Sequence, residues 1–127
     1  MVIETYNVSG WGSLKPYLAK TAAHVVLVQE SHLLGEKADE ASQIARRCGW
    51  KSVQAQALPG EGAGTSGGVM ILVRSWVGIC YPDYIGHVVV PGRVVAARVD
   101  YPGFPPFVAI SAYLVSGAGL AAENLEI

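Results

Sequence analysis

Apolar positions along the chain change their spacing several times, and each change marks an element. Met1–Tyr6 is short, β-branched and aromatic and runs into Asn-Val-Ser-Gly-Trp-Gly, so it reads as a strand ending in a turn. A helix is expected next, with Ser13 as N-cap, Pro16 in the first turn, Leu14, Tyr17 and Leu18 at helical spacing, and an end near Thr21. Val25–Val28 is continuously apolar, as in a strand buried on both faces, and completes a strand–helix–strand crossover. Glu36 to Arg47 is amphipathic, with Ala38, Ala41, Ile44 and Ala45 on one side and Gly49 as its stop.

Trp50–Gln54 is the next strand. Leu58 to Gly68 carries Pro59 and five of the fifteen glycines and is expected to be a loop. Gly68–Arg74 reads as a buried strand. Trp76–Cys80, Arg93–Asp100 and Phe107–Tyr113 follow as strands divided by turns at Pro82, Pro91 and Pro102 to Pro106, which favours antiparallel neighbours. Leu120 opens a further helical stretch that runs to Ile127 without a stop signal, so residues 1–127 are expected to be one domain cut inside a helix.

The composition narrows the class. The chain has 127 residues, 51% hydrophobic and 15% charged, enough for one globular core that buries roughly two thirds of its unfolded surface. Charge is nearly balanced, six basic against six acidic residues up to Gly64 and three against four beyond it, so neither half is a basic arm and phosphate-backbone affinity should be weak. Cys48 and Cys80 stand outside any metal-binding spacing and are expected to be reduced thiols. No apolar run approaches the roughly 20 residues of a membrane span, and Met1–Tyr6 lacks signal-peptide order; a soluble intracellular protein is expected, with nuclear and cytoplasmic locations both open.

In a crossover unit the two parallel strands end on one rim of the sheet, which here brings Asn7 and Glu30 together. A carboxylate at the mouth of a buried strand needs a partner, and a hard divalent ion that keeps several waters would satisfy it. Other readings of single residues stay open. Asn7 also suits the turn before Gly10, Glu30 a solvated strand end, and Tyr113 an amphipathic strand end. His32 reads as a loop residue rather than a ligand, His24 and His87 carry less, and Gly67 and Gly68 read as structural. Gly10-Trp11-Gly12 lacks the third glycine of a dinucleotide fingerprint, with Lys15 in its place.

Thr5-Tyr6-Asn7 followed by Val26-Leu27-Val28-Gln29-Glu30-Ser31-His32 resembles the first two signatures of the endonuclease/exonuclease/phosphatase superfamily. Ser66-Gly67-Gly68-Val69-Met70-Ile71-Leu72-Val73 is similar to that family's glycine-led strand, and Ser111-Ala112-Tyr113-Leu114 to its tyrosine segment. Among relatives the flavour is closest to retroelement-type endonucleases. The resemblance implies the N-terminal half of a four-layer α/β/β/α sandwich, with a mixed parallel and antiparallel sheet, helices on one face, and the chain supplying one sheet.

It also implies magnesium- or manganese-dependent hydrolysis of phosphodiesters in nucleic acid, DNA more than RNA. Glu30 would hold the metal, Asn7 would support that site, Tyr113 would contact the scissile phosphate, and Gln29 would stand behind them. The family's Asp-x-Asn segment and terminal Asp-His pair are absent, and Val115 replaces its usual proline, so the isolated chain is expected to lack part of the site. Two alternatives remain. One is an inactive module that pairs its exposed sheet face with a second copy or a complementing C-terminal half. The other is an esterase for small phosphoesters such as phosphoinositides.

Overall fold

The structure is a computed structural model that describes residues 1–8, 10–59, 64–80 and 88–113. The expected turn at Pro82, His87, and the helix from Leu120 lie outside the described residues. β1 (Ile3–Asn7), α1 (Trp11–Lys20) and β2 (Val25–Gln29) form the crossover unit, and β1 pairs with β2 in parallel. α2 (Glu36–Arg47) leads into β3 (Trp50–Ala55), and β6 (Val69–Arg74) inserts antiparallel between β2 and β3, giving the order β1-β2-β6-β3. β4 (Leu58–Pro59) and β5 (Thr65–Ser66) pair as a short hairpin within the segment expected to be loop. Two paired residues per arm are too few to leave a periodic signal.

β7 (Gly78–Cys80), β8 (Val88–Val90), β9 (Val94–Asp100) and β10 (Phe107–Ala112) make a second, antiparallel sheet, with β10 on one side of β9 and β7 and β8 on the other. The architecture is therefore mixed α/β, in successive layers of helices, mixed sheet and antiparallel sheet. The face of the first sheet expected to stand bare is covered by the chain's own later strands. β10 lies over β2 and β6, and β9 over β6 and β3.

Alternation along β2 and β6 explains why both strands read as unbroken apolar runs. Val26, Val28, Met70 and Leu72 face Leu14 and Leu18 of α1 and Ala38, Ala41 and Ala45 of α2, while Val25, Ile71 and Val73 face Val95, Ala97, Val99 and Ala109 of the second sheet. The second sheet stops short of β1. Ile3 on its inter-sheet side is 46% exposed, and Thr5 and Asn7 are exposed as well.

Helix α1 begins earlier than expected. Gly10, at φ 110°, is its N-cap in place of Ser13, and no side chain caps it, so Pro16 falls a turn later than expected on the exposed side. Packing draws the start forward, since Trp11 lies against the helix-side core. On β1, Glu4 accepts hydrogen bonds from the Tyr17 and Thr21 hydroxyls, and Tyr6 stacks on Tyr17 at 4.2 Å, which fixes α1 over the strand. Arg74 fastens the far end of α1. Its Nε and Nη2 donate to the carbonyls of Ala23 (2.9 Å) and Thr21 (2.6 Å), and its guanidinium lies 4.0 Å over the buried Trp50 ring. No helix among the described residues is long and apolar enough to cross a membrane. Cys48 and Cys80 are free, and both are exposed.

Candidate active site

The parallel register places Asn7 directly beside Gln29, and the Val8 amide extends that pairing by donating to the Gln29 carbonyl at 3.0 Å. Alternation puts Asn7 and Gln29 on the inter-sheet side, about 4.8 Å apart across the strands. Glu30 is the next residue, so the crossover does bring the two predicted residues to one rim. Asn7 is exposed and Glu30 half-buried, and neither side chain has a hydrogen-bond or ion-pair partner among the described residues.

The backbone departs from strand geometry immediately after Gln29. Glu30 and His32 have φ of 57° and 56°, in the left-handed region that side chains with a β-carbon avoid. Two bonds hold this turn, from Ser31 N to Gly68 O and from His32 N to Gly67 O, each 3.0 Å. Gly68 N in turn donates to Gly92 O at 2.8 Å, and Tyr113 N donates to Arg93 O at 2.7 Å. A ladder of backbone hydrogen bonds thus runs from the Glu30 turn through Gly67–Gly68 and Gly92–Arg93 to Tyr113, which joins the first sheet to the second at one end of the sandwich.

Gly67 and Gly68 serve that ladder structurally, as expected. Both have positive φ, and an added β-carbon would lie 2.5 Å from the Gly92 carbonyl oxygen at Gly67 and 2.4 Å from Ser31 Oγ at Gly68. The His32 ring does not face a cluster of ligands; its Nδ1 lies 3.4 Å from Thr65 Oγ1 on the hairpin. No group of three or more His, Cys, Asp or Glu side chains able to hold a metal occurs among the described residues. A single carboxylate on a rim that also carries an amide suits a magnesium-like ion that takes one or two protein oxygens and keeps its waters, rather than a closed protein cage.

Sequence reasoning missed Ser111. Its hydroxyl is buried, donates to the Val28 carbonyl at 2.8 Å and accepts from Gln29 Nε2 at 3.2 Å. The available signal was a serine at an inward-facing position of β10, in line with Ala109, where an apolar residue would ordinarily stand.

A helix-backed mixed sheet facing an antiparallel sheet has a counterpart among solved structures. The crystal structure of an AP endonuclease from Leishmania major superposes with a TM-score of 0.57 at 18% identity, over 87% of this chain and 39% of that one. The likeness establishes the fold, and the chain spans about two fifths of that protein's length. No family model matches the sequence, and no curated protein matches it.

Proposed function

We propose that this chain is the N-terminal part of a domain of the endonuclease/exonuclease/phosphatase type, whose parent hydrolyses phosphodiesters in nucleic acid with a divalent ion. The observation that carries this reading is Glu30. It is an unpartnered carboxylate on a left-handed turn, braced by hydrogen bonds from both following amides, at the same rim as Asn7. Strain retained at a polar rim is a common mark of a working site. The fold shared with the AP endonuclease supports the superfamily reading, and the retroelement-type kinship rests on the motif resemblance alone.

In this proposal Glu30 binds the ion, Asn7 orients its waters or a phosphate oxygen, and the Tyr113 hydroxyl donates to the scissile phosphate. A magnesium or manganese ion held there would supply positive charge to the phosphate in the transition state. The Asp-x-Asn and Asp-His segments of the family are absent, so turnover by this chain is expected to be low.

The test is manganese titration followed by NMR. Paramagnetic broadening should centre on the amides of Asn7, Glu30 and Ser31 and vanish in Glu30→Gln; broadening elsewhere, or unchanged in the variant, overturns the assignment. A supercoiled-plasmid assay with magnesium complements it. Robust nicking abolished by Glu30→Gln would refute the need for the absent segments.

One observation favours a second reading, that of an interaction module. Ile3, Val108 and Ile110 are exposed on the two strands that end their sheets on the same side of the sandwich, β1 and β10. Pairing would then use sheet edges rather than the bare face first expected, and concentration-dependent light scattering distinguishes it from a monomer.

A further inference from the structure

We infer that Ser111 is a positioning residue that sets where Glu30 stands relative to Tyr113; the inference rests on the metal-site reading above. The two functional candidates belong to different sheets, so their separation depends on how the sheets are spaced. Packing alone specifies that spacing loosely, because Val25, Ile71, Val95 and Ala97 are in contact without any directional bond between them, and the backbone ladder links the Glu30 turn to Tyr113 only indirectly, by way of Gly67–Gly68 and Gly92–Arg93.

Ser111 adds direction. It lies two residues before Tyr113 and is 1% exposed, and its Oγ donates to the carbonyl of Val28 at 2.8 Å, two residues before Glu30. The same oxygen accepts from Gln29 Nε2 at 3.2 Å, and Gln29 Nε2 also donates to Leu27 O at 3.2 Å. The hydroxyl therefore grips both the main chain and the side chain of the residues leading into the Glu30 turn.

Stability by itself does not call for a serine here. A hydroxyl buried between apolar sheets merely recovers its own desolvation when bonded, and an apolar residue of similar size often serves equally well. What the hydroxyl supplies is geometry, since two bonds of fixed length permit one offset between β10 and β2. Groups standing behind a metal ligand typically change metal affinity by about 10-fold or more when removed.

The experiment compares Ser111→Ala, Gln29→Met and their double variant with Ser52→Ala, a control that removes the Ser52–Ser42 hydroxyl contact of 3.3 Å away from this rim. Without metal, Ser111→Ala should shift the amide resonances of Glu30, Ser31 and Tyr113, whereas Ser52→Ala should leave them in place. With manganese, Ser111→Ala should weaken binding by about 10-fold. The double variant should be little worse than either single one, as expected of groups acting as a unit.

Wild-type manganese affinity in Ser111→Ala, while Glu30→Gln abolishes binding, overturns the role of Ser111 and leaves the proposed function standing. Equal weakening in Ser52→Ala also overturns it, by showing that general loosening suffices. If wild-type protein shows no manganese binding that depends on Glu30, the proposed function fails and the role of Ser111 fails with it.

Discussion

Replacing Glu30 with glycine should make the protein more stable while removing the group on which the proposed chemistry depends. At φ 57° the β-carbon of Glu30 crowds its own backbone, a conformation that costs an L-residue about 1–2 kcal/mol. Glycine relieves that cost but loses about 0.5–1 kcal/mol through its greater freedom in the unfolded chain. The Glu30 carboxylate has no described partner whose loss would enter the balance. The net expectation is a gain of about 0.5–1 kcal/mol for Glu30→Gly and a change near zero for Glu30→Ala, which keeps the β-carbon.

Urea unfolding monitored by circular dichroism should show a higher midpoint with an unchanged slope for the glycine variant. Both variants should lose manganese binding. A Glu30→Gly protein no more stable than Glu30→Ala would show that the turn carries no strain, and the structural argument for a maintained functional site would fall with it. His32→Gly, at φ 56°, offers an independent repeat of the measurement.

Four further outcomes are expected. Gly67→Ala would set a β-carbon 2.5 Å from the Gly92 backbone oxygen at a positive φ, and should destabilise by about 2–4 kcal/mol in chemical denaturation. Arg74→Met would forfeit two charged hydrogen bonds and the stacking on Trp50, costing about 2–3 kcal/mol, and Arg74→Lys should recover only part of it. Hydrogen bonds from Thr21 and then Tyr17 hold the Glu4 carboxyl below its ordinary value, so its contribution is present above that value and lost as pH falls through the lowered one; Glu4→Gln should flatten the acid limb of a stability–pH profile. Burial, and then the bond to Glu4, push Tyr17 up, so its contribution is complete below the ordinary tyrosine value and is lost as pH rises through the raised one, and Tyr17→Phe should flatten the alkaline limb.

Much of the first sheet was legible because its strands differ in kind from its helices. The amphipathic stretch from Glu36 to Arg47 coincides with α2, and the unbroken Val25–Val28 run correctly signalled a strand buried on both faces. The destination of the later strands was hidden, because proline turns specify a reversal without saying which sheet receives it. The start of α1 was misplaced since Trp11 packing outweighed the capping preference of Ser13. At the candidate site, the placing of Asn7 and Glu30 on one rim follows from crossover topology alone. The left-handed turn at Glu30 and His32 was invisible, as neither position carries the glycine that usually marks such a backbone, and the bonds that impose it come from Gly67 and Gly68, far along the chain.

The exposed flank of β1 has a consequence for handling the protein. Native edge strands commonly carry a lysine, a proline or a bulge that discourages pairing with other molecules. Met1, Val2 and Ile3 offer none of these and are 41%, 45% and 46% exposed, while the one charge of the strand, Glu4, is turned toward α1. Concentrated solutions should therefore be prone to association through this border, and a single lysine at position 3 should suppress it while leaving the candidate site untouched.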